Sequence, residues 1–208
     1  MHGVHYDIVS DGTLKYINLF KDESATPTMS YIYRWDAASG TAGIWAYHDH
    51  NFNNHNGAED RGLLGALIVN PKSGMVSAQG SGQQQILSLD NIEKDYILYL
   101  IDDAFVGMEI DNTNNQKQTP LWVNPTLTAN GNTFVRFHLI ALGTNTHQFE
   151  LPGYGWLDPG TRKVIGKKHI GPLEKHVFTI RATNSSNYMD TAFSSNLLGM
   201  KGVFQVNN

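Results

Sequence analysis

Two histidines stand one residue apart in the segment GIWAYHDHN, residues 43–51. Successive side chains of a β-strand point to opposite faces, so His48 and His50 would project from the same face of a strand. Two imidazoles placed in this way suit copper or zinc, which accept nitrogen ligands. Taken alone, however, this spacing is more often that of two surface or hydrogen-bonded histidines.

A second histidine-rich segment, MHGVHYD, opens the chain and strengthens the metal-binding interpretation. It places His2 directly before a glycine, with His5 and Asp7 close behind. Ordinary strands carry Thr or Val at such positions. We therefore take His2, His48 and His50 as candidate metal ligands, and we name no catalytic residue.

The composition excludes several other kinds of site. The chain of 208 residues contains no cysteine, so it has no disulfide, no thiol nucleophile and no thiolate metal ligand. The net charge is only −4, and without a cluster of Lys and Arg we expect no nucleic-acid partner. No apolar run reaches the length of a membrane-spanning helix. The first residues also lack the basic and apolar regions of a signal peptide.

Apolar and polar residues alternate through most of the chain, which predicts strands rather than helices. Turn residues separate the strand-like segments, so we expect an all-β protein built from two Greek-key β-sandwich domains. The segment 71–85, rich in Gly, Ser and Gln, is the predicted linker. We place domain 1 at residues 1–74 and domain 2 at residues 75–208. The predicted strands include 31–36, 43–50, 63–70, 86–90, 96–103, 133–142, 147–151, 175–182 and 201–206.

The first of these domains is short of strands. Residues 2–70 offer only about three or four strands, fewer than a closed sandwich needs. We therefore expect domain 1 to be incomplete, with strands encoded upstream of Met1 or supplied by a partner.

Several segments resemble the multicopper oxidases, and among them most closely the two-domain laccases. The likeness runs through nearly the whole chain and includes MHGVHYD, YIYRWD, WAYHDHN, GLLGALIVNP, GTNTHQFELPGYGW, HIGPLEKHVFTI and LLGMKGVFQV. The resemblance implies cupredoxin-like domains, copper as cofactor, and an extracellular or periplasmic homotrimer with copper clusters between subunits. It also implies that His2, His48 and His50 bind the paired type 3 coppers.

The second domain departs from the pattern of that family. His147 fits a ligand of the type 1 copper, but Glu150, Pro152 and Tyr154 follow it where the family carries histidines. The last ligand motif of the family, which contains the type 1 cysteine, is also degenerate. Its positions are occupied here by Met189, Asp190, Thr191, Ser195 and Met200.

These departures favour a copper-binding protein that is not a competent laccase, with a remnant type 3-like site in domain 1. Two alternatives remain open. One is a structural or assembly β-protein, which the Asn-rich loops at residues 50–60 and 109–118 would suit. The other is a copper oxidoreductase whose site is completed by Glu150, Asp190 or Tyr154 of a neighbouring subunit. Imidazole ligands suit zinc as well as copper, and the preference for copper comes from the resemblance.

The remaining histidines and the tryptophans are interpreted structurally. His138 is expected to face solvent or to be hydrogen-bonded, and not to bind a metal. The isolated histidines His55, His169 and His176 are expected in loops or on the surface. The four tryptophans are expected to anchor the two sandwich cores, one pair in each domain: Trp35, Trp45, Trp122 and Trp156.

Overall fold

The computed structural model describes residue 37 and residues 40–48, 62–80 and 82–208. The chain divides into two compact units, Met1–Pro71 and Lys72–Asn208. The strands in the described residues are β1 Gly43–His48, β2 Leu64–Val69, β3 Met75–Gln79, β4 Gln84–Ser88, β5 Ile92–Ile101, β6 Ala104–Asp111, β7 Lys117–Leu121, β8 Thr126–Asn130, β9 Phe134–Ala141, β10 His147–Glu150, β11 Trp156–Leu157, β12 Val164–Ile165, β13 Lys167–Ile170, β14 Lys175–Arg181, β15 Ser186–Asp190 and β16 Lys201–Asn207. One short helix, α1 Phe193–Leu198, and a 3₁₀ turn, Leu89–Asn91, complete the elements.

In the N-terminal unit, β1 and β2 form an antiparallel pair that runs from Gly43 opposite Val69 to His48 opposite Leu64. Both strands lie within the predicted segments 43–50 and 63–70, so these predictions are confirmed for the described residues. The predicted strand 31–36 lies outside them. Gly65 has a specific role in the pair, because a Cβ at this position would lie 2.3 Å from the ring of Tyr47. The glycine therefore allows the ring to cross the neighbouring strand.

The C-terminal unit contains two larger sheets. One has seven strands in the order β4-β3-β14-β9-β5-β6-β7, and the other has five strands in the order β13-β10-β15-β16-β8. Most neighbours are antiparallel, whereas β5 with β9, β14 with β3 and β16 with β8 run parallel. Strands β4 and β7 are the edges of the seven-stranded sheet. The all-β prediction is thus confirmed.

The core of the C-terminal unit is built largely from aromatic rings. Alternate residues of the central strands supply it, as expected for period-two strands, and Phe137 of β9 and Phe149 of β10 are both fully buried. Phe137 stacks on Phe178 with ring centroids 5.0 Å apart, and Phe178 stacks in turn on Trp156 at 4.4 Å. The burial of Trp156 confirms its predicted place in the core.

The predictions for the linker and for Trp122 were wrong. The segment 71–85 is not a linker, because β3 and the start of β4 lie in it and pair with each other. The many Gly, Ser and Gln residues of this segment suggested a loop and made its strand pattern hard to recognise, although Ala78 is buried. Trp122 does not anchor a core, since 82% of it is exposed.

The helical content of the described residues is small, as the alternating pattern predicted. Helix α1 has six residues and ends at Gly199, whose φ of 77° is readily accessible only to glycine. No helix in the described part of the chain has the length and apolar character that a membrane crossing requires.

Candidate functional site

His48 is the predicted metal ligand that lies within the described residues. It is the last residue of β1 and is half-buried. Its strand position puts it on the same face as Ile44 and Ala46, which are both buried. The side chain therefore leaves the strand end on its core-facing side. His2 and His50 lie outside the described residues, so the convergence of the three imidazoles stays a prediction.

A cluster of four residues forms in the C-terminal unit at positions that resemble a type 1 copper site. We call His147, Asp190, Ser195 and Met200 the C-terminal cluster. His147 begins β10, Asp190 ends β15, Ser195 lies in α1, and Met200 directly precedes β16. His147 lies 43 residues before Asp190 in sequence, and all four residues are at least 99% buried. The fold therefore brings together the positions that the degenerate motif indicated.

Backbone hydrogen bonds hold the second half of this cluster. The amide of Asp190 donates to the carbonyl oxygen of Met200 at 3.0 Å, and the amide of Met200 donates to the carbonyl oxygen of Ser195 at 3.0 Å. The turn at Gly199 makes this geometry possible, because it reverses the chain between α1 and β16. The positions of Asp190, Ser195 and Met200 are thus fixed by the main chain.

The side chains of His147 and Asp190 are hydrogen-bonded to each other. Nδ1 of His147 lies 2.7 Å from Oδ2 of Asp190, and neither side chain is exposed. Oδ1 of Asp190 accepts hydrogen bonds from the amides of Gln148 at 2.8 Å and Ala192 at 2.9 Å. Burial disfavours the charged carboxylate, but the hydrogen bonds from His147, Gln148 and Ala192 outweigh it and lower the pKa of Asp190. The cluster therefore holds a carboxylate with both oxygens engaged.

The three residues expected to complete a neighbouring subunit's site all have partners within their own unit. Asp190 is fully buried in the C-terminal cluster. Glu150 forms an ion pair with Lys167 at 2.8 Å. The hydroxyl of Tyr154 donates to the carbonyl oxygen of Asn184. A fully buried Asp190 does not present a ligand to another subunit.

A second buried polar cluster lies between β5 and β9. Oδ1 of Asp95 is 2.5 Å from Nε of Arg136 and 2.7 Å from Nε2 of His138, and Oδ2 accepts from Asn112 at 2.8 Å. Burial opposes ionisation of Asp95, but His138 and Arg136 outweigh it and hold its pKa well below the usual range. Burial lowers the pKa of His138. His138 was expected either to face solvent or to be hydrogen-bonded. It is hydrogen-bonded and does not face solvent.

His176 was predicted to be a loop or surface residue, and this is wrong. It lies on β14, is 5% exposed, and its Nε2 accepts a hydrogen bond from Nε1 of Trp156 at 2.8 Å. Its neighbours in sequence gave no sign of this, because its partner is 20 residues away. Burial lowers the pKa of His176 to about 4, and nearby Lys168 adds to this effect. The imidazole is therefore neutral at neutral pH and acts as an acceptor.

This buried histidine predicts a loss of stability in mild acid. The pKa of His176 is about 4 in the folded protein, against an ordinary value of 6.5. Between these values the unfolded chain binds a proton that the folded chain does not, so stability falls as the pH falls through this window. We expect His176 to account for roughly 2–3 kcal/mol of this loss. Urea unfolding at about pH 7 and about pH 4.5, followed by circular dichroism, measures it.

His176→Gln is expected to be less stable at neutral pH but to lose less stability on acidification. His169→Gln is the matched control, because His169 is exposed on β13. An identical pH dependence in wild type and His176→Gln would contradict the prediction.

In the part of the chain that the structure describes, no group of three or more His, Asp or Glu side chains is arranged to hold a metal ion. An open pocket of about 480 Å³ lies elsewhere in the C-terminal unit. Its wall includes Gln79, Tyr154 and Arg181 together with the backbone of several glycines, and it contains no residue of the C-terminal cluster. The metal site predicted from the sequence includes His2 and His50, which lie outside the described residues, so it stays a prediction.

Comparisons with known proteins bear on the fold. No protein-family model matches the chain. The chain is 28% identical over 223 aligned residues to a probable nitrite reductase-hydroxylamine oxidoreductase fusion protein of Kuenenia stuttgartiensis, an alignment that covers 99% of this chain. The chain spans only 24% of the length of that relative.

Two solved structures from Nitrosomonas europaea are similar in fold. The blue copper oxidase has a TM-score of 0.53 and 18% identity, with 88% of this chain and 63% of that chain covered. The copper nitrite reductase has a TM-score of 0.58 and 14% identity, with 100% of this chain and 73% of that chain covered. The chain therefore has the two-domain cupredoxin-like fold of the multicopper oxidases and copper nitrite reductases. The resemblance seen in the sequence is confirmed at the level of the fold.

Proposed function

We propose that this chain is a copper-binding, multicopper-oxidase-like protein that holds its metal in the N-terminal unit through His2, His48 and His50. One observation carries the proposal: His48 ends β1 on the strand's buried face, in a fold shared with copper oxidases. The HxH spacing predicts that His50 would project to the same side as His48. Imidazole nitrogens are suitable ligands for copper and for zinc.

The same chain is not proposed to work as an autonomous laccase. Oxidation of a substrate by that family needs a type 1 copper, and such a centre depends on a cysteine thiolate. The sequence contains no cysteine. The C-terminal histidines of the trinuclear site are also replaced, by residues such as Glu150 and Thr191. We therefore propose metal binding, and not autonomous laccase activity, as the function of this chain.

Further properties complete this proposal. Copper is preferred over zinc because both similar structures are of copper proteins. A homotrimer and an extracellular or periplasmic location are proposed from the resemblance to two-domain laccases. The domain limits, 1–74 and 75–208, are kept as predicted. A neighbouring subunit would be the source of any further ligands, with Glu150 and Tyr154 as the candidates outside the C-terminal cluster.

Copper content after loading tests the proposal. The full chain is incubated with Cu(II), freed of unbound metal by gel filtration, and analysed for copper per chain. Replacing both His48 and His50 by alanine should abolish bound copper, because it removes two of the three proposed ligands. His169→Ala is the control, since this histidine is exposed on β13 and distant in sequence from the proposed ligands.

Two results would contradict the proposal. One is unchanged copper in the double variant, and the other is no copper in the wild type. The second would favour the structural or assembly role. Electron paramagnetic resonance of the copper-loaded wild type then separates a mononuclear site from a magnetically coupled pair.

A further inference from the structure

We infer that the type 1 copper position of the C-terminal unit has become a metal-free hydrogen-bonded pair, in which Asp190 replaces the metal as the partner of His147. The resemblance to multicopper oxidases implies a type 1 copper at this position, held by two histidines, a cysteine and a methionine. The C-terminal cluster consists of the residues that stand at those four positions in this sequence. Its chemistry, however, does not fit the metal.

The donor set of the cluster is the first reason. An aspartate stands where the family has its cysteine, and a serine stands where it has its second histidine. A carboxylate and a hydroxyl are hard oxygen donors, whereas a blue copper centre requires a thiolate. Of the four residues, His147 and Met200 alone are of the type that the family uses to bind the type 1 copper.

The hydrogen bonds of the carboxylate are the second reason. Oδ2 of Asp190 lies 2.7 Å from Nδ1 of His147, so the imidazole nitrogen that faces the carboxylate is already engaged. Oδ1 accepts from the amides of Gln148 and Ala192. Both acceptor positions of Oδ1 are therefore engaged, and a metal ion that bound Oδ1 of Asp190 or Nδ1 of His147 would have to displace a buried hydrogen bond.

The hydrogen-bonded pair of His147 and Asp190 also links two strands, as a bound metal ion would. His147 and the amide of Gln148 belong to β10, whereas Asp190 and the amide of Ala192 belong to β15 and the turn after it. The carboxylate therefore joins two strands of the five-stranded sheet at their ends. We conclude that the C-terminal unit keeps its type 1 fold without metal and has no electron-accepting centre at this position.

Restoring the lost donors tests the inference. All variants are made in the full chain with His48 and His50 replaced by alanine, so that copper at the N-terminal site does not contribute. In this background we expect neither copper nor zinc to bind. Adding Asp190→Cys and Ser195→His should give one bound copper per chain and the intense visible absorption of a copper–thiolate bond.

Two outcomes would overturn the inference. The first is one copper or zinc per chain in the His48→Ala/His50→Ala background that is lost when His147→Ala is added. The second is a variant carrying Asp190→Cys and Ser195→His that folds, as judged by circular dichroism, but binds no copper. The first outcome would show that the natural cluster is a metal site. The second would show that side chains at these four positions do not converge as the ligands of a type 1 copper do.

Thermal melting decides the matter if the restored variant does not fold. The melting temperature of the His48→Ala/His50→Ala background should be the same with a chelator and with excess copper or zinc. An increase of several degrees with metal that disappears on adding His147→Ala would overturn the inference. Both tests use variants that lack two of the three proposed N-terminal ligands, so they do not depend on whether the proposed N-terminal site exists.

Discussion

Asp95→Ala is expected to lower the free energy of unfolding by about 3–5 kcal/mol, the cost of removing one partner from a buried ion pair. Asp95 is 3% exposed, and Arg136, His138 and Asn112 all direct hydrogen-bond donors at its two oxygens. The substitution removes the acceptor that these three side chains share. The ring of His138 bonds Asp95 through Nε2, and its Nδ1 has no hydrogen-bond partner among the described residues, so the ring would lose its hydrogen bond altogether.

Chemical denaturation at neutral pH measures the effect. Asp103→Ala is the matched control, because the side chain of Asp103 is exposed in the turn between β5 and β6. We expect the control to change stability by about 0.5 kcal/mol or less. A similar small effect for Asp95→Ala would mean that the cluster does not stabilise the folded chain.

Phe149→Ala is expected to destabilise the protein by about 3–5 kcal/mol, as other buried Phe→Ala substitutions do. The ring is fully buried and has its centroid within 6.4 Å of those of five other aromatic rings. Removing it would open a cavity at the centre of the core, because the surrounding rings are fixed on several strands. Phe149 is also two residues from His147, so β10 would be disturbed next to the C-terminal cluster.

The control for this substitution is of the same chemical kind. Phe193→Ala removes the same atoms from α1, where 83% of the side chain is exposed. Its effect should be about 0.5 kcal/mol or less. Equal losses of melting temperature in the two variants would contradict the assignment of Phe149 to the core.

The sequence predicted strands well where one face of a sheet is buried and the other is not. In β1, for example, Ile44 and Ala46 are buried while Tyr47 is exposed, and the alternation is plain. Strand β9 is different, because seven of its eight residues are buried and polar ones are among them. The expectation that His138 could face solvent assumed a solvated face. The structure instead places it beside Asp95, 43 residues earlier in the chain.

The C-terminal cluster was also predicted in part and missed in part. The resemblance indicated which positions correspond to the type 1 copper ligands of the multicopper oxidases, and the residues at these positions are all buried in the C-terminal unit. It did not indicate that Asp190 and His147 would be hydrogen-bonded. The comparison with the family showed that a cysteine was missing at position 190, but it did not show what the aspartate there would contact. That pairing depends on the register of β10 with β15, in which Phe149 lies opposite Asp190. The sequence pattern alone does not specify this register.

The two edges of the seven-stranded sheet differ in a way that matters for self-association. Strand β7 carries Lys117 and Pro120, and a proline has no N–H to offer to an incoming strand. Strand β4, with the sequence QQILS, has neither a charge nor a proline, and Ile86 is 68% exposed. Among the described residues, the β7 edge therefore carries features that disfavour pairing with another chain, and the β4 edge carries none of them.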